Sequence, residues 1–225
     1  MNAPTVRHLP RGLYVLCDDT LLPEVPLVHK AELLLAGGAR VLQLRMKRTP
    51  LREALVAARE VVAACRRAGA VCLVNDRVDL ALLSGAHGVH VGEDDLPPEA
   101  ARELLGPERL VGATVRGLEG ARTARAAGAD YVGLGPLFGT TTKQVNAPVL
   151  GLDAFADVVR DSPLPVVGIG GVTLDTISRV AATGAHGAAV ASDALLARQV
   201  PERVRLLMAA FDRGAEGASV DRKDL

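Results

Sequence analysis

Gly128-Ala129-Asp130-Tyr131-Val132-Gly133-Leu134-Gly135-Pro136-Leu137-Phe138-Gly139-Thr140-Thr141-Thr142-Lys143 holds one complete structural unit of this chain. Gly128-Ala129 closes a helical Ala/Arg stretch, and a glycine just past a helix supplies the left-handed turn into the next strand. Asp130-Tyr131-Val132 opens a buried strand that ends at Leu134. The apolar run then gives way to glycines, three hydroxyls and a lysine. Glycines let a backbone approach a ligand, hydroxyls and amides can wrap an anion, and a lysine adds a compact positive charge. Neither glycine spacing of the standard phosphate and dinucleotide loops is present, so taken alone the segment is a surface loop. Its place in a repeat changes that reading.

The same Gly-Ala ending recurs at Gly38-Ala39, Gly69-Ala70, Gly85-Ala86 and Gly184-Ala185. Each is followed by a short aliphatic run, and the first such run in the chain is Leu13 to Cys17. The others are Val41 to Leu44, Val71 to Val74, His87 to Val91, Leu110 to Ala113, Tyr131 to Leu134, Val166 to Ile169 and Ala188 to Ala191. Between them lie Ala/Leu/Arg stretches of helical period, two of them expected to open on Thr49-Pro50 and on Thr173. Recurrence at this interval means one supersecondary unit used repeatedly. Strands apolar on both faces, alternating with helices, call for a covered parallel sheet. Closed into a ring, that is an α/β fold made of a single (β/α)8 TIM barrel. The expected organisation is an N-terminal segment over residues 1–11, the barrel over 12–212, and a tail over 213–225 expected to be disordered.

The totals agree with one large domain. The chain has 225 residues, 49% of them hydrophobic, with 26 basic balanced by 26 acidic side chains. Balanced charge and the near absence of aromatic residues argue against a nucleic-acid partner. No run approaches transmembrane length, so no membrane partner is expected. Cys17, Cys65 and Cys72 lack paired metal spacing and read as reduced core thiols of a cytoplasmic protein. Met1 to Leu9 lacks the long apolar core of a signal peptide.

In such a barrel, chemistry belongs at the C-terminal ends of the strands. There the polar residues gather: Gln43-Leu44-Arg45-Met46-Lys47, Asn75-Asp76, His90 with Asp94 and Asp95, Thr114, the quoted loop, Gly170-Gly171 and Ser192. Period two aims Gln43, Arg45 and Lys47 the same way, toward the barrel mouth. Each feature has a plain alternative: Asn75-Asp76 as a helix cap, Asp94-Asp95 as a loop opening, Arg45 and Lys47 as a solvated rim. Together on one face, two carboxylates, two lysines, an arginine and three glycine/hydroxyl anion cups describe a magnesium-diphosphate site beside a phosphate site. His87 and His186 read as packing or surface residues without a role.

This set resembles the thiamine phosphate synthase family over roughly Leu13 to Leu196. The matching pieces are Gln43 to Lys47, Asn75-Asp76-Arg77-Val78-Asp79, Gly88 to Asp95, Tyr131 to Lys143, and Val167 to Val172. The resemblance implies joining of 4-amino-2-methyl-5-hydroxymethylpyrimidine diphosphate to a (carboxy)thiazole phosphate, releasing pyrophosphate. It implies that Gln43, Leu44, Arg45, Met46, Lys47, Asn75, Thr114 and Lys143 bind the pyrimidine diphosphate, with Arg45, Lys47, Thr114 and Lys143 catalytic. Asp76 and Asp95 would ligate Mg²⁺. Thr140, Thr141, Thr142, Gly171, Ala191 and Ser192 would bind the thiazole phosphate. The chain departs from the family pattern at Thr114 (usually serine), at Arg116 (often histidine), at Ala191 (a larger aliphatic) and at Asp193. A thiazole tautomerase of the same superfamily lacks the acids after strands three and four, a non-catalytic binder would have no use for them, and a sugar-phosphate isomerase needs a base that no strand-end glutamate supplies. Oligomeric state stays open.

Overall fold

A computed structural model describes residues 8–139 and 148–221. Eight parallel strands close in sequence order: β1 (Gly12–Asp18), β2 (Val41–Arg45), β3 (Val71–Asn75), β4 (Gly88–Val91), β5 (Leu110–Val115), β6 (Tyr131–Leu134), β7 (Val166–Gly168) and β8 (Gly187–Val190). The ring shuts where Gly12 to Val15 pair in register with Gly187 to Val190. Outside it lie α1 (Leu27–Ala36), α2 (Leu51–Ala68), α3 (Val78–Ser84), α4 (Pro98–Leu105), α5 (Leu118–Ala126), α6 (Leu152–Asp161), α7 (Ile177–Ala182), α8 (Ser192–Leu195) and α9 (Val200–Asp221). All five Gly-Ala glycines take positive φ, from 67° at Gly69 to 93° at Gly38, so the repeat read in the sequence is a repeated left-handed helix exit.

Strand alternation sorts side chains into two cores. Leu13, Val15, Cys17, Leu42, Leu44, Cys72 and Val74 face the helices. Tyr14, Leu16, Val41, Val71, Leu73, Leu110, Tyr131, Val167 and Ala189 fill the ring itself, and Leu9 joins them. Leu9, just before β1, is therefore part of the core inside the ring. Gly112 opposite β6 leaves room for the Tyr131 ring, which a side chain there would strike.

Four expectations change. Pro50, not Thr49, is the N-cap of α2, and the Thr49 hydroxyl bonds elsewhere. α7 starts at Ile177 because Thr173 and Thr176 close a turn on each other first, Thr173 N–H donating to Thr176 Oγ1 at 2.9 Å. The single helix expected after the eighth strand, to about Phe211, is broken into α8 and α9. The tail expected to be disordered from 213 instead continues α9 to Asp221. Gly214 lets that helix lie directly on the Ser178 backbone of α7, and Ala215 packs on the core, so tertiary contact holds what local sequence does not.

Candidate active site

The strand ends surround an open cavity of about 300 Å³. Its wall includes Gln43, Arg45, Lys47, Asn75, Asp76, Thr114, Gly171, Ala191 and Ser192 from the expected set. Leu44 is fully buried in the outer core and Met46 packs against it, so their side chains do not line the cavity and only their backbone is left to meet a substrate. The same alternation that brings Gln43, Arg45 and Lys47 inward sends these two outward. Thr140, Thr141, Thr142 and Lys143 lie outside the described residues.

The cationic side is built on β1 and β2. Register places Asp18 beside Arg45, and Arg45 Nη1 donates to Asp18 Oδ2 at 2.6 Å. Asp18 Oδ1 accepts from the N–H and hydroxyl of Thr20 at 2.8 and 2.7 Å, so this buried carboxylate is fully engaged. Lys47, further along, reaches across to Asp76 on the β3 end and pairs with Oδ2.

The acidic side is a carboxyl pair. Asp76 sits at φ 63°, an uncommon left-handed conformation for a non-glycine residue, and its N–H donates to the His90 carbonyl at 2.8 Å. Arg77 is the N-cap of α3 and makes no side-chain cap bond, so Asn75 and Asp76 are not helix caps. Asp95 Oδ2 accepts the Gly92 N–H at 2.7 Å, which folds the β4 loop back toward β3. Burial raises the Asp76 pKa first, and the hydrogen-bonding Asp95 carboxyl raises it further against the opposing pull of Lys47. Two carboxyls held this close resist sharing negative charge unless a cation joins them. Among the described residues no three His, Cys, Asp or Glu side chains converge. A two-carboxylate set fits Mg²⁺, which completes its shell with water and substrate phosphate oxygens, better than a metal needing a closed protein cage.

A polar relay that residue-by-residue reading missed crosses the cavity floor. Gln43 Nε2 donates to Tyr14 Oη at 2.7 Å, and Tyr14 Oη meets Tyr131 Oη at 2.9 Å. Tyr131 Oη bonds His90 Nδ1 at 3.0 Å, and His90 Nε2 bonds Thr114 Oγ1 at 3.0 Å. Burial holds both phenols well above their ordinary pKa, so they are neutral hydroxyls. The signal was present in the sequence, since Tyr14 and Asp18 share parity on β1, but aromatic residues in a strand read first as core. Arg116 closes the far rim, forking onto Glu93 at 2.7 and 2.9 Å and reaching the Gly135 carbonyl at 3.3 Å.

The remaining wall is a backbone cradle. Leu137 and Phe138 donate their N–H groups to Ile169 and Gly170 carbonyls at 2.9 and 3.0 Å, laying the β6 loop along the β7 end. Gly171, at φ 66°, lies so close to Phe138 and Gly139 that any side chain would displace them. His87 and His186 sit elsewhere, bonding Cys72 N and the Leu9 carbonyl, as expected of packing residues.

Comparison with known proteins matches this architecture. Residues 13–194 fit the sequence profile of the family described as thiamine monophosphate synthase. The chain is 71% identical to the thiamine-phosphate synthase of Myxococcus xanthus over 97% of its own length and 100% of that protein. It is 48% identical to the thiamine-phosphate synthase of Anaeromyxobacter dehalogenans, covering 92% of each. Its fold superposes on the solved thiamine phosphate pyrophosphorylase of Pyrococcus furiosus with a TM-score of 0.82 at 36% identity, over 90% of this chain and 96% of that one. With profile, relatives and barrel in agreement, the chain belongs to the thiamine monophosphate synthase family of transferases.

Proposed function

We propose that this transferase of thiamine biosynthesis joins 4-amino-2-methyl-5-hydroxymethylpyrimidine diphosphate to a (carboxy)thiazole phosphate, releasing pyrophosphate and thiamine phosphate by a dissociative, Mg²⁺-assisted step. The observation that carries this reading is that Asp76 and Lys47 pair at the wall of one cavity, with the Asp95 carboxyl hydrogen-bonded to Asp76 just behind it. An isomerisation has no need of that arrangement, whereas a departing diphosphate does.

Bond cleavage places negative charge on the leaving oxygens, and preorganised cations stabilise that charge without rearrangement, each donor contributing roughly 10²–10³ in rate. Arg45 and Lys47 supply this role from the β2 end, with Lys143 assigned to it from the loop after β6. Asp76 and Asp95 would hold Mg²⁺, which supplies further charge neutralisation on diphosphate oxygens. Gln43 and Thr114, fixed by the relay, address the pyrimidine edge, and Asn75 faces its diphosphate. Gly171, Ala191 and Ser192 line the opposite wall as the thiazole phosphate cup, and Thr140 to Thr142, outside the described residues, are assigned to the same phosphate. The thiazole nitrogen then attacks the pyrimidine carbon that lost its diphosphate. No strong base is required.

The test is to mix the purified protein with both precursors, with and without Mg²⁺, and to read thiamine phosphate by fluorescence after oxidation. The expected result is product that depends on both precursors and on the metal. Product formed equally well after exhaustive chelation would remove the metal from the mechanism, and no product under any condition would remove the reaction.

A further inference from the structure

Asp19 follows β1 and is only 7% exposed, yet it does not line the cavity. Its carboxylate accepts four hydrogen bonds from a single turn of the β2–α2 loop. Lys47 N–H donates to Oδ1 at 2.9 Å, while Arg48 N–H, Thr49 N–H and Thr49 Oγ1 donate to Oδ2 at 2.8, 2.9 and 2.9 Å. The Asp19 N–H itself donates to the Arg45 carbonyl at 3.0 Å, so this one residue grips both sides of the β2 exit.

The support beneath it is rigid. Lys30, on α1 and 1% exposed, donates its ammonium to the Asp18 carbonyl at 3.1 Å and the Leu21 carbonyl at 2.5 Å. Asp19 is thereby bracketed on either side along the chain. Beyond the clamped turn, the Lys47 side chain is 44% exposed and still spans to Asp76. A flexible four-carbon stem on a loose loop would spread its charge over many positions, and fixing the backbone removes part of that entropic cost before a ligand arrives.

We propose that Asp19 is a positioning residue that clamps the Lys47–Thr49 turn, holds the Lys47 ammonium at the diphosphate end of the cavity, and so tightens binding of a diphosphate group. The inference rests on the reading above that this end of the cavity takes a diphosphate.

The experiment is calorimetric titration of inorganic pyrophosphate with Mg²⁺ into the wild-type chain, Asp19→Asn, Lys47→Ala and the double variant. Asparagine keeps the shape of Asp19 but loses charge and one acceptor oxygen. If Asp19 acts through Lys47, Asp19→Asn weakens pyrophosphate about tenfold alone and adds nothing once Lys47 is removed, the signature of two coupled residues. Affinity of Asp19→Asn within about twofold of wild type, or losses that multiply in the double variant, overturns the proposal. Should Asp19→Asn fail to fold, Thr49→Val removes a single donor to the same carboxylate and is expected to cost about threefold, again only while Lys47 is present. A wild-type chain that does not bind pyrophosphate overturns the diphosphate reading and the clamp together. Wild-type binding with an unaffected Asp19→Asn overturns the clamp alone.

Discussion

The hydroxyls of Tyr14 and Tyr131, contributed by β1 and β6, meet 2.9 Å apart inside the ring and join the two walls of the cavity. Tyr131 is fully buried and also bonds His90, so its hydroxyl is the centre of the relay from Gln43 to Thr114. Tyr131→Phe strands Tyr14 and His90 without that partner, and is expected to cost about 1–3 kcal/mol of stability. It should also raise the KM for the pyrimidine diphosphate more than that for the thiazole phosphate. Urea denaturation and steady-state kinetics check both, and equal KM changes would detach the relay from the pyrimidine edge.

The proposed Mg²⁺ site on Asp76 and Asp95 is tested by removing one carboxyl. Asp95→Ala leaves one carboxyl where two stand together, so turnover is expected to fall by about 10² or more at low Mg²⁺, with thiazole phosphate binding little changed. The half-saturating Mg²⁺ concentration should rise by more than tenfold, since one of the two proposed ligand carboxylates is gone. Turnover within a few-fold of wild type at every Mg²⁺ concentration would show that Asp95 is no ligand.

Asp18 and Arg45 form a buried pair whose members cannot be removed singly without penalty. The Asp18 side chain has no exposure and that of Arg45 only 12%. Asp18→Ala leaves the guanidinium uncompensated and is expected to cost about 3–5 kcal/mol. Asp18→Ala with Arg45→Met should recover much of that stability while staying inactive. Denaturant midpoints of the two variants decide the matter, and a double variant less stable than the single would refute it.

His87 makes stability fall in acid. Burial, then the nearby charge of Arg66, holds its pKa below the ordinary 6.5, and its Nδ1 accepts the Cys72 N–H at 3.0 Å. Because the unfolded chain takes up this proton more readily, stability is full above about 6.5 and declines as pH falls toward the depressed folded value, by at most about 1.4 kcal/mol per pH unit. His87→Asn keeps an acceptor for Cys72 but cannot titrate, and should flatten that limb. Identical slopes for both proteins in unfolding measured from pH 7.5 to 5 would contradict the assignment.

Parity along β2 was readable without coordinates, and it brought Gln43, Arg45 and Lys47 to one wall. The same parity already excluded the Leu44 and Met46 side chains, which resemblance to a family motif had carried along with their neighbours. The Tyr14–Tyr131 contact joins positions 117 residues apart, and no local pattern encodes it. Asp18 and Asp19 drew no assignment from the sequence, and only register shows what each holds. The extension of α9 past Arg213 likewise depends on Gly214 lying against Ser178, a contact between two helices.

By itself the sequence determined the repeating strand-helix unit, the closed parallel ring and the end of it that gathers charge, because these follow from apolar periodicity and glycine exits that act within a few residues. Only the tertiary structure decided which acids hold a cation, which hold backbone and which face each other, since Asp18 with the Arg45 guanidinium, Asp19 with the Lys47 N–H and Asp76 with Asp95 pair across strands and loops. Those partnerships depend on register and ring closure, and both are settled by packing the whole barrel at once.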